Sequence, residues 1–243
     1  WHSAVGNGAS ELGRCYVVVV GVSLAVSEIS LREAKMYEPQ NVVGSVAELK
    51  AILGPDFPSQ INKVIDHIDG HCQAWIERCP FVTIASVNGA GQMDVSPKGD
   101  PAGFVKVLDR NTLAIPDRLG NHRGDTFMNV LENPRVLIMF VIPKRREVLR
   151  VSGSAQVVMD PDFLASMAVN ERVPDLALLV RVEEAFFHCG KAMIRSRMWE
   201  PDQWASIDGL PSYAQALKDH GNMPDPLEEL EARMVNNETN RLY

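Results

Sequence analysis

The chain has little cysteine, and none of it is paired at metal-ligand or redox spacing: Cys15, Cys72, Cys79 and Cys189 are the only four in 243 residues. That excludes a disulfide-stapled scaffold and a CxxC redox motif, and it points to a reducing, cytoplasmic setting. Positive charge is scarce too. With 24 Lys and Arg against 31 Asp and Glu, the net charge is −7, which excludes the broad basic surface that duplex nucleic acid or an anionic membrane demands. Long apolar runs are missing. The best, residues 15–26 (CYVVVVGVSLAV), falls short of the roughly 20 residues that cross a bilayer core. It also lacks a basic segment ahead of it, since Arg14 is offset by Glu11, so a secretory signal is not expected. Internal repeats and low-complexity blocks are absent. At 46% hydrophobic residues the chain still has enough apolar side chains for a substantial core.

Three parts are expected: an N-terminal extension over 1–35, a domain proper over 36–205 and a polar, helical tail over 206–243. The sequence Ser45-Val-Ala-Glu48 has the form of a capping box and starts a short helix that Gly54 and Pro55 end. Over 59–76, the residues Ile61, Val64, Ile65, Ile68 and Cys72 recur at helical spacing and predict one amphipathic helix. From Pro80 the texture changes to short runs rich in β-branched residues, separated by Gly, Asn, Asp and Pro. Strands are expected over 81–87, 93–96, 104–108, 112–115, 136–142, 147–152, 155–159, 176–182 and 184–187. Asn88-Gly89 and Asp109-Arg-Asn111 are turn chemistry between them. A two-turn helix over 125–132 ends at Asn133-Pro134, because the residue before proline is pushed out of helical geometry. Another helix is expected over 161–169, and an amphipathic segment over 227–235. Many short strands broken by single helices predict a mainly β, α+β barrel.

Chemistry concentrates in Asp94-Val-Ser96-Pro97-Lys98-Gly99-Asp100 and, further on, in Pro116-Asp117-Arg118-Leu-Gly120-Asn121-His122-Arg123-Gly124-Asp125-Thr126. Both follow expected strands. A hydroxyl, a lysine, two arginines and glycine-flanked amides near a helix N-terminus are what a phosphate monoester requires. Arginine supplies a fork and lysine a point charge. The competing reading is that Lys98, Arg118 and Arg123 merely pair with Asp94, Asp100, Asp117 and Asp125 on a solvated loop.

These stretches, with Gly103-Phe-Val105, Ile115, Leu149-Arg-Val151, Gly153, His188-Cys-Gly-Lys191, Arg195-Ser196 and Trp199, resemble the pyridoxamine 5′-phosphate oxidase-like, FMN-binding split-barrel family over residues 46–204. The resemblance implies a split β-barrel and a homodimer with FMN at the subunit interface. It assigns Ser96, Lys98, Arg118, Asn121 and Arg123, with Asp117 beside them, to the FMN phosphate and ribityl chain, and the backbone from Pro97 to Gly99 to the ring. Lys191, Arg195 and Trp199 are assigned to the partner chain or the groove wall. It further implies an FMN-dependent oxidoreductase acting on a small molecule, with NAD(P)H or oxygen as the other redox partner. The flavin carries the redox chemistry, so no catalytic side chain is singled out.

There are departures. Arg195-Ser-Arg197-Met-Trp199 stands where the family's true oxidases have an Arg-Leu-His-like substrate motif, so vitamin B6 oxidation is not the activity expected. Lys144 occupies a hairpin position where close relatives would have glycine. A flavin-binding module without catalysis and a split barrel using a deazaflavin or haem-related cofactor are the alternatives. His67 and His71 stand four apart on the expected helix but lack a third ligand, so no metal is expected.

Overall fold

The computed structural model describes residues 37–243. The extension assigned to 1–35, with its apolar run, lies outside the described residues. The described residues fall into two compact units, one holding residues 37–54 with Ile207–Pro211, the other Pro55–Ser206 with Ser212–Tyr243. The first contains helix α1 (Val46–Leu53). Its ends follow the capping chemistry in the sequence: Ser45 accepts from the Glu48 amide at 3.1 Å, and Glu48 reaches back to the Gly44 amide at 2.9 Å. Gly54 takes φ +78 and donates to Lys50, a conformation that suits a residue without a Cβ.

The second unit is built on an antiparallel sheet of seven strands. In chain order they are β1 (Phe81–Val87), β2 (Met93–Gly99), β3 (Lys106–Asp109), β4 (Thr112–Pro116), β5 (Arg135–Val141), β6 (Val148–Val158) and β7 (Ala177–His188), arranged β2-β1-β5-β6-β7-β4-β3. Flanking helices complete a mainly β, α+β split barrel. They are α2 (Pro58–Asn62), α3 (Gly70–Ile76), α4 (Asp125–Glu132), α5 (Pro161–Ala165), α6 (Lys191–Arg195), α7 (Tyr213–Gly221) and α8 (Leu227–Asn240).

The two longest strands divide the sheet. β5 pairs with Leu149–Ser154 of β6, whereas β4 pairs with Ala177–Arg181 of β7, so each long strand serves one half with one of its ends. The register between β6 and β7 shifts at Ser152 and Gly153. There a Cβ on Gly153 would lie 1.9 Å from the Arg181 carbonyl oxygen, so only glycine lets the backbones approach this closely. Alternating residues of β1, β5, β6 and β7, among them Val82, Ile84, Ile138, Phe140, Leu149, Val151 and Val180, form the main core with Cys72 and Ile76 of α3. A smaller cluster of Ala114, Leu164, Met167 and Ala177 lies under α5.

The structure corrects several expectations. The single helix over 59–76 is two: α2 ends at Asn62, Ile65 forms an isolated β-bridge with Ala185, and Asp69 starts α3 by accepting from the Cys72 amide at 2.8 Å. The apolar period was real, but the sheet edge took Ile65 as a bridging residue, and Asp69 is a stronger helix start than interior. The separate strands at 147–152 and 155–159, and at 176–182 and 184–187, are continuous as β6 and β7, because a bulge absorbs the irregularity at Gly153 without ending the pairing. The helix over 161–169 stops at Ala165, ahead of a turn in which Asn170 and Glu171 take positive φ. Phe81, which opens β1, is 40% exposed.

Candidate functional site

β2 is an edge strand, and its alternation decides which side chains face which way. Lys98 pairs with Val82, Ser96 with Ile84 and Asp94 with Ser86. Paired residues share a face, and those partners on β1 are buried. Asp94, Ser96 and Lys98 therefore point to the side covered by α4, while Met93, Val95, Pro97 and Gly99 point to the other. Two hydrogen bonds tie α4 to this face: Thr126 Oγ1 donates to Asp94 at 3.3 Å and Asn129 to Ser86 at 2.9 Å.

The N-terminus of α4 carries no side-chain cap. Its N-cap is Gly124 at φ +67, which leaves first-turn amides without the usual side-chain acceptor. Beside it is a cavity of about 240 Å³ lined by residues that include Ser96, Lys98, Asn121, Arg123, Thr126 and Phe127. A larger cavity of about 540 Å³ shares Lys98, Asn121 and Phe127 with it and adds Asp117, Arg118, Arg172, Asp175 and Tyr243. The two stretches singled out in the sequence therefore meet here, one from β2 and the other from the loop between β4 and α4.

The cations in this group are held differently. Arg118 Nε donates to Asp100 at 2.5 Å, and Nη2 donates to the Met167 carbonyl at 2.8 Å. The pair is buried, with Asp100 fully covered and the Arg118 side chain 15% exposed. Arg123 pairs with Asp125 at 2.6 Å, but on the surface, its side chain 70% exposed. A pair that open is easily exchanged for another anion. Lys98 forms no ion pair among the described residues, and its ammonium lies 5.8 Å from the Phe127 ring centroid. So two of the carboxylate pairs raised by the competing reading do form, and Lys98 is left with charge to spare.

Asp117 shapes the larger cavity electrostatically. Burial pushes its carboxyl above the ordinary aspartate range, with the Asp175 charge adding to the effect and Lys98 and Arg118 opposing it. Tyr243 closes the same cavity: its hydroxyl donates to the second oxygen of Asp100 at 2.6 Å, and its ring centroid lies 6.0 Å from the Arg118 guanidinium carbon.

Of the residues singled out in the sequence, Ser96, Pro97, Lys98, Asp117, Arg118, Asn121 and Arg123 line one or both cavities. Gly99 lies at the end of β2 and lines neither. Lys191, Arg195 and Trp199 also line neither; they follow β7 on and after α6, where Trp199 Nε1 donates to the Arg145 carbonyl at 2.7 Å. Phe127, Arg172, Asp175 and Tyr243 were not singled out. Phe127 could have been found from helical spacing within α4. The other three reach the cavity only through long-range packing and carry no local signal.

A sheet of this order with its flanking helices is a split barrel, and a cation-lined cavity lies between its edge strand and α4. The sequence profile of the pyridoxamine 5′-phosphate oxidase family matches residues 68–189, and the chain belongs to that family. No curated protein matches. Among solved structures, HupZ of Group A Streptococcus is 20% identical, covering 49% of this chain and 93% of its own, with a TM-score of 0.41. An FMN-binding protein from Syntrophomonas wolfei is 10% identical, covering 47% and 82%, at 0.38. HutZ, the heme storage protein from Vibrio cholerae, is 14% identical, covering 50% and 94%, at 0.36.

Proposed function

We propose that this chain is an FMN-binding oxidoreductase that works as a homodimer. One observation carries the reading: the uncapped first turn of α4 lies beside a cavity that also receives Ser96, Arg123 and Lys98, the last without an ion partner among the described residues. Amides, a hydroxyl and two cations suit a phosphate monoester. The larger cavity, walled by Phe127 and open to Asn121 and Asp117, suits the remainder of the cofactor.

When bound, the flavin supplies acceptance of a hydride or of electrons. The residues of this chain bind and orient it. Ser96, Lys98 and Arg123 would hold the phosphate, Asn121 and Asp117 would offer polar partners to the ribityl chain, and the backbone from Pro97 to Gly99 would approach the ring. Lys98 is also placed to favour negative charge in the shared part of the two cavities.

The dimer is supported by what β2 leaves uncovered. On its outer face Met93 is 76% and Val95 60% exposed, and exposed apolar side chains along an edge strand suit an interface. Lys191, Arg195 and Trp199 line neither cavity of their own chain, which suits a contribution to the site of the partner. Free thiols at Cys72, Cys79 and Cys189 suit a reducing cytoplasm. Among the described residues no helix is long and apolar enough to cross a membrane. Oxidation of pyridoxamine 5′-phosphate itself is not proposed, because Arg195-Ser-Arg197-Met-Trp199 replaces the substrate motif of the true oxidases.

The test is the visible absorption spectrum of the purified protein, with mass spectrometry of whatever heat releases. A two-band flavin spectrum and released FMN are expected. A colourless protein that takes up no added FMN would overturn the reading. Reduction of the bound flavin by NADH or NADPH then separates an enzyme from a carrier.

A further inference from the structure

We propose that Tyr243 is a positioning residue that fixes Arg118 as the cationic wall of the larger cavity, so that the segment after α8 is part of the ligand site. The contacts form a chain. The Asp100 side chain is fully covered and uses one oxygen for Arg118 Nε and the other for the Tyr243 hydroxyl. Arg118 is held a second time by the Met167 carbonyl and lies under the Tyr243 ring. Among the described residues nothing accepts from Arg118 Nη1, so that end of the fork is left available to a ligand of the cavity that Arg118 lines.

A carboxylate with two oxygens and a single arginine partner leaves the pair free to pivot. A phenol on the second oxygen removes that freedom, since both acceptors are then occupied from fixed directions. The ring also covers the guanidinium face and lines the cavity itself, which favours a planar ligand edge over bulk water at Arg118. Tyr243 is far from Asp100 in sequence, 143 residues on. It is brought to the site by α7 and α8, which pack on each other with Ala214 and Leu230 buried and are linked by a hydrogen bond between Ser212 and Glu231 at 3.2 Å.

The inference rests on the flavin reading only for the identity of the ligand, not for the contact. Wild type, Tyr243→Phe and Tyr243→Ala are labelled with the arginine reagent phenylglyoxal, and modification of Arg118 is followed by peptide mass spectrometry. In Tyr243→Ala the Arg118 rate should rise about tenfold, the factor that loss of one hydrogen bond to a charged group gives, while other arginines keep their rates. Tyr243→Phe, which keeps the ring and loses the hydroxyl, should fall between. An unchanged Arg118 rate in both variants would overturn the proposal, and so would a rise shared by all arginines, which would mean general loosening. FMN affinity is measured in parallel by fluorescence quenching. If the wild type binds FMN, the alanine variant should bind it about tenfold more weakly, and equal affinity would count against the role in the site. If the wild type binds none, the flavin reading fails while the labelling still decides what Tyr243 does.

Discussion

Lys98 and Arg118 border the same cavity, but what surrounds them gives them different work. Arg118 is committed to Asp100 and Met167 before any ligand arrives, so removing it would leave a buried carboxylate unpaired and cost about 3–5 kcal/mol of stability. Lys98 has no such commitment among the described residues. Lys98→Ala should therefore weaken FMN binding about tenfold or more, as loss of one charged contact does, while shifting unfolding free energy by less than about 0.5 kcal/mol; fluorescence titration and urea denaturation measure the two. Asp117 gives a pH-dependent counterpart. Its folded pKa is raised by burial, so it favours the folded state when protonated and opposes it once ionised. Asp117→Asn should raise the melting temperature at neutral pH, and the gain should shrink as pH falls through the raised pKa and vanish below the ordinary value of 3.8. Thermal melts from pH 3 to pH 8 would follow it, with no pH dependence of the gain as the contrary result.

Elements depend on a few backbone positions. The turn between β5 and β6 places Lys144 at φ +68, left-handed geometry that costs a residue with a Cβ roughly 1 kcal/mol. Lys144→Gly should recover about that amount. Gly153 is the opposite case. Its missing Cβ is what lets β6 and β7 stay paired through the bulge, so Gly153→Ala should cost about 3 kcal/mol or more by forcing the strands apart. Chemical denaturation of the two variants should move the midpoint in opposite directions. The helices show how far local signals reach. The capping box of α1 and the proline after Asn133 gave accurate ends for α1 and α4, because those ends are set by groups within four residues of one another. The start of α3 is set instead by a bridge between Ile65 and Ala185 on a distant strand, which no helical period encodes.

At the scale of the whole molecule, the proposed dimer turns on the outer face of β2. Val95 and Met93 stand exposed on that face, and the proposed dimer would cover them with a second copy. Val95→Lys should convert a dimer into a monomer in light scattering and release FMN with it, leaving the circular dichroism of the sheet intact. A variant that stays dimeric with full flavin would show that this face is not the interface. Cation placement at this scale is economical in a chain of net charge −7: Lys98, Arg118, Arg123 and Arg172 collect around two adjoining cavities, although the surface as a whole repels anions.

By itself the sequence determined the class of fold and the local elements that carry the candidate site residues. Alternation along β1, the turn at Asn88, the helix from Asp125 and the cluster Ser96-Pro97-Lys98 are local patterns, governed by neighbouring backbone and side-chain chemistry, and they reappear in the structure within a few residues. Only the tertiary structure decided which carboxylate takes which arginine, that Lys98 is left over, that β6 and β7 run unbroken through a bulge, and that Arg172, Asp175 and Tyr243 join the cavity. These are contacts between segments far apart in the chain, and their geometry is set by the packing of the whole sheet. No spacing in the sequence encodes them.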